Sequence, residues 1–429
     1  MNNKKKIFIV TQPEVVDTIG GAITVFVDFC NMLQSNGYDV TGFCYAEPNN
    51  RPQNLSDECK FVNLNHYFPH KSYKEAINTY FEQDKPDLII FFFKFLYDKA
   101  CLSKNFDNIP RILMFHSRPD IYDTDTRTNP SQTYTNTTIQ ILFESYKDLL
   151  LPATTQGNPV ISIPNYAKQQ SVIADLKVEK KKIIYLSRVD RLKGLEFLIN
   201  SFKTVADKYK DWTLDIYGQS QPPSYVAELE DLVTNLNLDK QIIFRGITDK
   251  PIETFREYDF CVFPSYFEGF PMGLIEAQSV GLPCIGLEGC SGVNELIIDG
   301  YNGFLCKEDY TEFGQKIEKL ILDRDVRIQF GANSVKNASI YNQMDVFKCW
   351  LDVIEQILSG KAPKSFDKYP QSDKKYKLFE LSKIMKFFKT KKKLKFYQKI
   401  FSITNDDDRK IVYVLGIKFS IKRKGYNNA

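Results

Sequence analysis

Short apolar runs alternate with stretches of helical periodicity along almost the whole chain, and that rhythm more than anything else restricts how it can fold. In the first half, Ile7 to Val10, Val40 to Cys44, Leu88 to Phe93 and Ile112 to Phe115 read as strands. Between them, Ala22 to Asn36 places Val25, Phe26, Phe29, Met32 and Leu33 on one helical face, and Ser72 to Gln83 is helical. The second half repeats the pattern with strands at Ile183 to Ser187, Thr213 to Tyr217, Ile242 to Arg245, Phe260 to Phe263 and Pro283 to Leu287, each separated from the next by helical sequence or a loop. Apolar strands alternating with amphipathic helices make parallel sheets covered on both faces. The expected class is therefore α/β, and 429 residues suffice for two doubly wound units plus an appendage. The polar, Lys-rich stretch from Ile163 to Lys182 marks the boundary between the units. The expected division is 1–168, 169–340, a helix at 341–362 that crosses back to the first unit, and a basic tail at 363–429.

Ligands of doubly wound sheets sit outside the carboxyl ends of the strands, so the loops there carry the chemistry. After the first strand, Gly20 and Gly21 precede a helix and allow close backbone approach. After Ile183 to Ser187 comes RVDRLKG, where Arg188 and Lys193 are placed to neutralise a diphosphate. After Phe260 to Phe263 comes YFEGFPMGLIEAQS. Glu268 lies in this loop and Glu276 about one turn into the following helix, with Gly269, Pro271 and Gly273 between them. The amides of Gly273 and Leu274 would face an anion at that helix start.

The E-x7-E arrangement with Gly and Pro inside it, the Ser-Arg-x4-Lys-Gly loop and the N-terminal Gly-Gly resemble the retaining nucleotide-sugar glycosyltransferases of glycosyltransferase family 4. IPN at 163–165, FRG at 244–246, VFPS at 262–265 and DGYNGFL at 299–305 agree, and Ser187 departs from the Gly usual before the Arg. The resemblance covers about residues 5–360 and is strongest in the second half. It implies the GT-B fold, in which two Rossmann-like domains face a central cleft. It implies that Arg188 and Lys193 hold the donor diphosphate, that Glu276 binds the ribose, and that Glu268 contacts the transferred sugar. It places Gly20, Gly21, Gly246, Gly269, Phe270, Met272, Gly273 and Leu274 along the donor, with Gly246 beside the base. His116, ending a strand in MFHSRPD, would reach toward sugar and acceptor. The implied reaction is retaining transfer of a hexose, from UDP-hexose in preference to GDP-hexose and without a metal, to a glycan or lipid-linked glycan acceptor in cell-surface polysaccharide synthesis. A sugar-nucleotide epimerase of the same fold and a non-catalytic partner subunit remain alternatives.

Two superficial metal signals are set aside. Asp123-Thr124-Asp125 lies in a polar loop instead of at a strand end, and Pro69 interrupts the helix that a His66–His70 pair would need. Charge is divided unevenly. Residues 371–429 hold 17 Lys and Arg against 5 Asp and Glu, leaving 40 basic against 48 acidic groups in residues 1–370. In the tail, Leu378, Leu381, Met385 and Phe388 form an apolar stripe among Lys377, Lys383, Lys386, Lys389 and Lys391 to Lys393, followed by a small hairpin turning around Asn405 to Asp408. A basic amphipathic helix fits an anionic membrane surface, and no recognised nucleic-acid module accompanies the charge. No secretory or membrane-spanning segment is read in the sequence, and nine scattered Cys read as reduced thiols, so the expected location is cytoplasmic, at the inner face of the cell membrane.

Overall fold

The computed structural model describes residues 4–12, 21–45, 51–119, 134–150 and 155–368, together with the backbone of 401–406, 409–414 and 417–422. The first unit is a seven-stranded, all-parallel sheet of β1 (Lys6–Val10), β2 (Asp39–Cys44), β3 (Lys60–Asn63), β4 (Leu88–Phe91), β5 (Arg111–Met114), β6 (Thr137–Ile141) and β7 (Val160–Ser162). Its order is β3-β2-β1-β4-β5-β6-β7. The second unit is a six-stranded parallel sheet of β8 (Lys182–Leu186), β9 (Thr213–Tyr217), β10 (Ile242–Gly246), β11 (Phe260–Phe263), β12 (Cys284–Leu287) and β13 (Gly303–Cys306), in the order β10-β9-β8-β11-β12-β13. In both sheets the order reverses beside the first strand, so the crevices open at the carboxyl ends of β1 and β4 and of β8 and β11.

Local chemistry explains the elements. The central strands are buried on both faces, which is why LIIF of β4 and FCVF of β11 carry no polar residue. The helix Tyr73–Gln83 starts at a capping box in which Ser72 and Glu75 each bind the other's backbone amide. The helix Leu195–Ala206 buries Leu195, Phe197, Leu198, Ile199, Phe202 and Val205 and packs against the helix Tyr310–Leu322.

The helix Gln343–Leu358 follows the second unit in sequence and packs on the helix Gly21–Ser35 of the first. There Trp350 meets Phe29 edge-on, with ring centroids 5.0 Å apart. Asp28 ties the same crossing together by accepting from Tyr166 at 2.7 Å and pairing with Lys168 at 2.9 Å. No described helix is long and apolar enough to cross a membrane.

In the appendage, where one hairpin was expected, three antiparallel strands run at Phe401–Asp406, Arg409–Val414 and Ile417–Lys422. The Leu-Gly pair at 415–416 lies between the second and third of these strands. The expected helix carrying Leu378 to Phe388 falls outside the described residues, as do Gly20 and Asp123 to Asp125.

Candidate active site

The loops after β8 and β11 meet at the crevice of the second unit. Asp190 caps the short turn Arg191–Lys193 by accepting from the Leu192 amide at 2.9 Å, and the Leu192 carbonyl accepts from the Tyr266 amide at 2.9 Å. This stitching carries Lys193 to Glu268, with Nζ 2.6 Å from Oε1 and side chains only 8% and 11% exposed. A buried, short ion pair joins the two loops that the sequence singles out. Arg191, between the two predicted cations, is occupied elsewhere. It binds Glu196 and Glu228 at 2.7 Å each and lies over the Tyr225 ring. Arg188 stands at the rim, about half exposed, donating to Gln221 at 3.0 Å and lying 3.5 Å from Asp190.

The helix Met272–Ser279 begins four residues beyond Glu268. A Cβ on Gly273 would lie 2.8 Å from the Leu186 carbonyl oxygen, so the absence of a side chain is what lets the helix start sit against the end of β8. The first-turn amides left over for an anion lie one residue earlier than the sequence suggested. Leu274 donates its N–H to the Pro271 carbonyl at 3.1 Å and buries its side chain, leaving Met272 and Gly273 as the two first-turn amides. Glu276 follows on the same helix, partly buried. Its carboxylate has no hydrogen-bond or ion-pair partner within contact range among the described residues, and loss of bulk water pushes its pKa up to about 7 against the opposing pull of Lys168.

The first unit supplies the opposite wall. His116 follows β5, stacked on Phe92 at 4.8 Å and tilted on Phe93 at 5.4 Å. Burial lowers its pKa to about 4, so the imidazole is neutral through the physiological range. Its Nε2 has no hydrogen-bond partner among the described residues, nor do the hydroxyls of Thr11 after β1 and Ser265 after β11. These three polar atoms, buried without a partner among the described residues, follow β1, β5 and β11 at the strand ends where ligands of doubly wound sheets sit. A Cβ on Gly269 would lie 2.1 Å from the His116 carbonyl oxygen, and one on Gly21 2.6 Å from Met272 Cγ. Both glycines thus mark points where the units touch across the crevice.

Of the other expected donor residues, Gly246 ends β10 in a left-handed conformation with open space beside it. The Phe270 ring is not available to a ligand: it is buried, stacked on Phe143 at 5.4 Å and edge-on to Tyr341 at 5.5 Å. Sequence reasoning missed Thr11 and Ser265, which carry no motif of their own. It also missed Arg118, a buried cation two residues past His116. Burial pushes the Cys290 thiol well up and Glu268 adds to this, while Lys193 and Arg118 pull the other way, which sets both cations in one neighbourhood.

Residues 167–337 match the family described as Glycosyl transferases group 1. Among curated proteins, the poly(glycerol-phosphate) alpha-glucosyltransferase of Bacillus subtilis is 26% identical over 188 residues, 43% of this chain and 27% of that protein. The capsular polysaccharide biosynthesis glycosyltransferase CapM of Staphylococcus aureus is 31% identical over 153 residues, 35% of this chain and 40% of that protein. The chain thus spans well under two thirds of the length of these two relatives. Among solved structures, sucrose-phosphate synthase of Thermosynechococcus elongatus superposes with a TM-score of 0.71 at 18% identity, covering 83% of this chain and 100% of that one. HepE of Anabaena, solved with UDP and glucose, gives 0.67 at 16% identity, covering 82% and 99%. The fold is GT-B, as these superpositions show.

Proposed function

We propose that this chain is a glycosyltransferase that moves a hexose from a nucleotide-diphosphate sugar to an acceptor hydroxyl during assembly of a cell-surface polysaccharide. The observation that carries this reading is the meeting of Lys193 and Glu268 at 2.6 Å, beside Arg188 and the start of the helix Met272–Ser279. Cations and free amides there suit a diphosphate, and the acidic groups suit sugar hydroxyls. The matched family and the poly(glycerol-phosphate) and capsular polysaccharide names of the relatives support it.

In this reading the diphosphate lies between Arg188, Lys193 and the amides of Met272 and Gly273. Cleavage of the bond between the anomeric carbon and phosphate leaves negative charge on the departing diphosphate, which the two cations and the helix end stabilise without a metal. Glu276 accepts from the ribose hydroxyls, and Gly246 leaves space for the base. Glu268, held by Lys193, accepts from the transferred sugar, and the neutral His116 offers Nε2 to a sugar or acceptor hydroxyl. The anomeric configuration is retained, as the E-x7-E resemblance implies. UDP-hexose is the donor, a glycan or lipid-linked glycan is the acceptor, and residues 371–429 hold the enzyme at the anionic inner face of the cell membrane.

A thermal-shift screen of nucleotide diphosphates, followed by product analysis with and without glycan acceptors, tests the proposal. Stabilisation by UDP and acceptor-dependent sugar transfer are expected. Conversion of the donor to an isomeric nucleotide sugar without acceptor would instead favour an epimerase.

A further inference from the structure

The loop that carries Glu268 is gripped from the other unit. Tyr146, in the turn Glu144–Leu149 after β6, is fully buried and donates its hydroxyl to the Gly269 carbonyl at 3.2 Å. Beside it, Ser291 donates to the Glu268 carbonyl at 3.2 Å. The successive carbonyls of Glu268 and Gly269 are thereby held, the second by a residue of the opposite unit. Around this point Ser145 donates to Glu295 at 2.6 Å, Phe143 stacks on Phe270, and the His116 carbonyl abuts Gly269. The turn itself is anchored in the first unit, where Glu144 accepts from Ser162 at the end of β7.

We infer that Tyr146 is a positioning residue that makes the orientation of Glu268 depend on contact between the two units. Glu268 reaches its working direction only when the first unit is seated against the 268–270 loop, so an opened cleft holds donor without acting on it. This rests on the proposed sugar-transfer reading for its kinetic consequence, but the clasp itself is a structural claim with its own readout.

Tyr146→Phe removes the hydroxyl and keeps the ring, and Ser145→Ala loosens the same turn without touching Tyr146. Hydrogen exchange by mass spectrometry on the full-length protein should show amides 266–272 exchanging about tenfold faster in Tyr146→Phe, the scale of one lost hydrogen bond, with β5 and β6 as protected as in the parent. The affinity for UDP, measured by calorimetry, should stay within about twofold, while turnover of the parent's donor falls about tenfold. Unchanged exchange at 266–272 would overturn the inference. So would faster exchange throughout the first unit, or parallel loss of UDP affinity and turnover, since either marks general loosening. A parent that turns over no nucleotide sugar sinks the functional reading, and the exchange data still decide the clasp.

Discussion

Burial of the Glu276 carboxyl leads to a quantitative expectation for nucleotide binding. With its pKa at about 7, the group is about one tenth ionised at pH 6 and about nine tenths ionised at pH 8. Only the ionised form accepts from both ribose hydroxyls at once, so the share of affinity that depends on Glu276 should rise about tenfold across that range. At pH 7, binding should release about half a proton, which appears in calorimetry as a heat that varies with the ionisation enthalpy of the buffer. UDP titrates nearby on its own account, so the quantity to compare is the ratio of parent affinity to that of Glu276→Gln, in which the ligand's own titration cancels. Stability moves the opposite way. The native pKa lies above the ordinary value of 4.5, so the folded protein holds the extra proton between about 4.5 and 7, and this contribution is lost as pH rises through that window. A parent-to-variant affinity ratio that stays flat from pH 6 to 8, with no proton released, would refute the assignment of Glu276 to the ribose.

Lys193→Ala should lower transfer about 100-fold or more and, by stranding a buried carboxylate, destabilise the second unit by about 3 kcal/mol. Adding Glu268→Gln should recover most of that stability in urea unfolding but none of the turnover, and recovery of both would show that the pair only holds loops together. Gly269→Ala places a methyl group against the His116 carbonyl, so the units should part and transfer should fall at least tenfold while UDP binding persists. Parent-like transfer by that variant would mean the contact is dispensable. Removing residues 371–429 should abolish salt-sensitive sedimentation with anionic vesicles without altering UDP affinity, and unchanged vesicle binding would reject the membrane role of the tail.

The fold was legible where strands carry apolar runs, as in IFIV of β1, IIYL of β8 and FCVF of β11, and where helices are amphipathic. The strands that escaped notice are short or carry polar residues. β6 is TTIQI, whose buried threonines and Gln140 read as polar, and the Gln140 amide nitrogen donates to backbone carbonyls of Ile141 and Ile163 that only the fold supplies. β7 is three residues long, too short for periodicity to register. Arg188, Lys193, Glu268 and Glu276 were singled out because their types and spacing suit chemistry at strand ends, and the structure brings Lys193 and Glu268 into contact. Phe270 shares the motif yet serves packing between the units, a distinction that depends on Phe143 and Tyr341, far away in sequence. The free amides lay one residue earlier than inferred because Pro271 accepts from Leu274, a detail of the first helical turn that spacing does not encode. Thr11, Ser265 and Tyr146 matter through what surrounds them, so no local pattern announced them.

A crystal structure with UDP bound tests the central claim most directly. The account predicts the diphosphate within hydrogen-bond distance of Arg188, Lys193 and the amides of Met272 and Gly273, with the ribose on Glu276. Nucleotide seated elsewhere, or a diphosphate that touches neither cation, would contradict it.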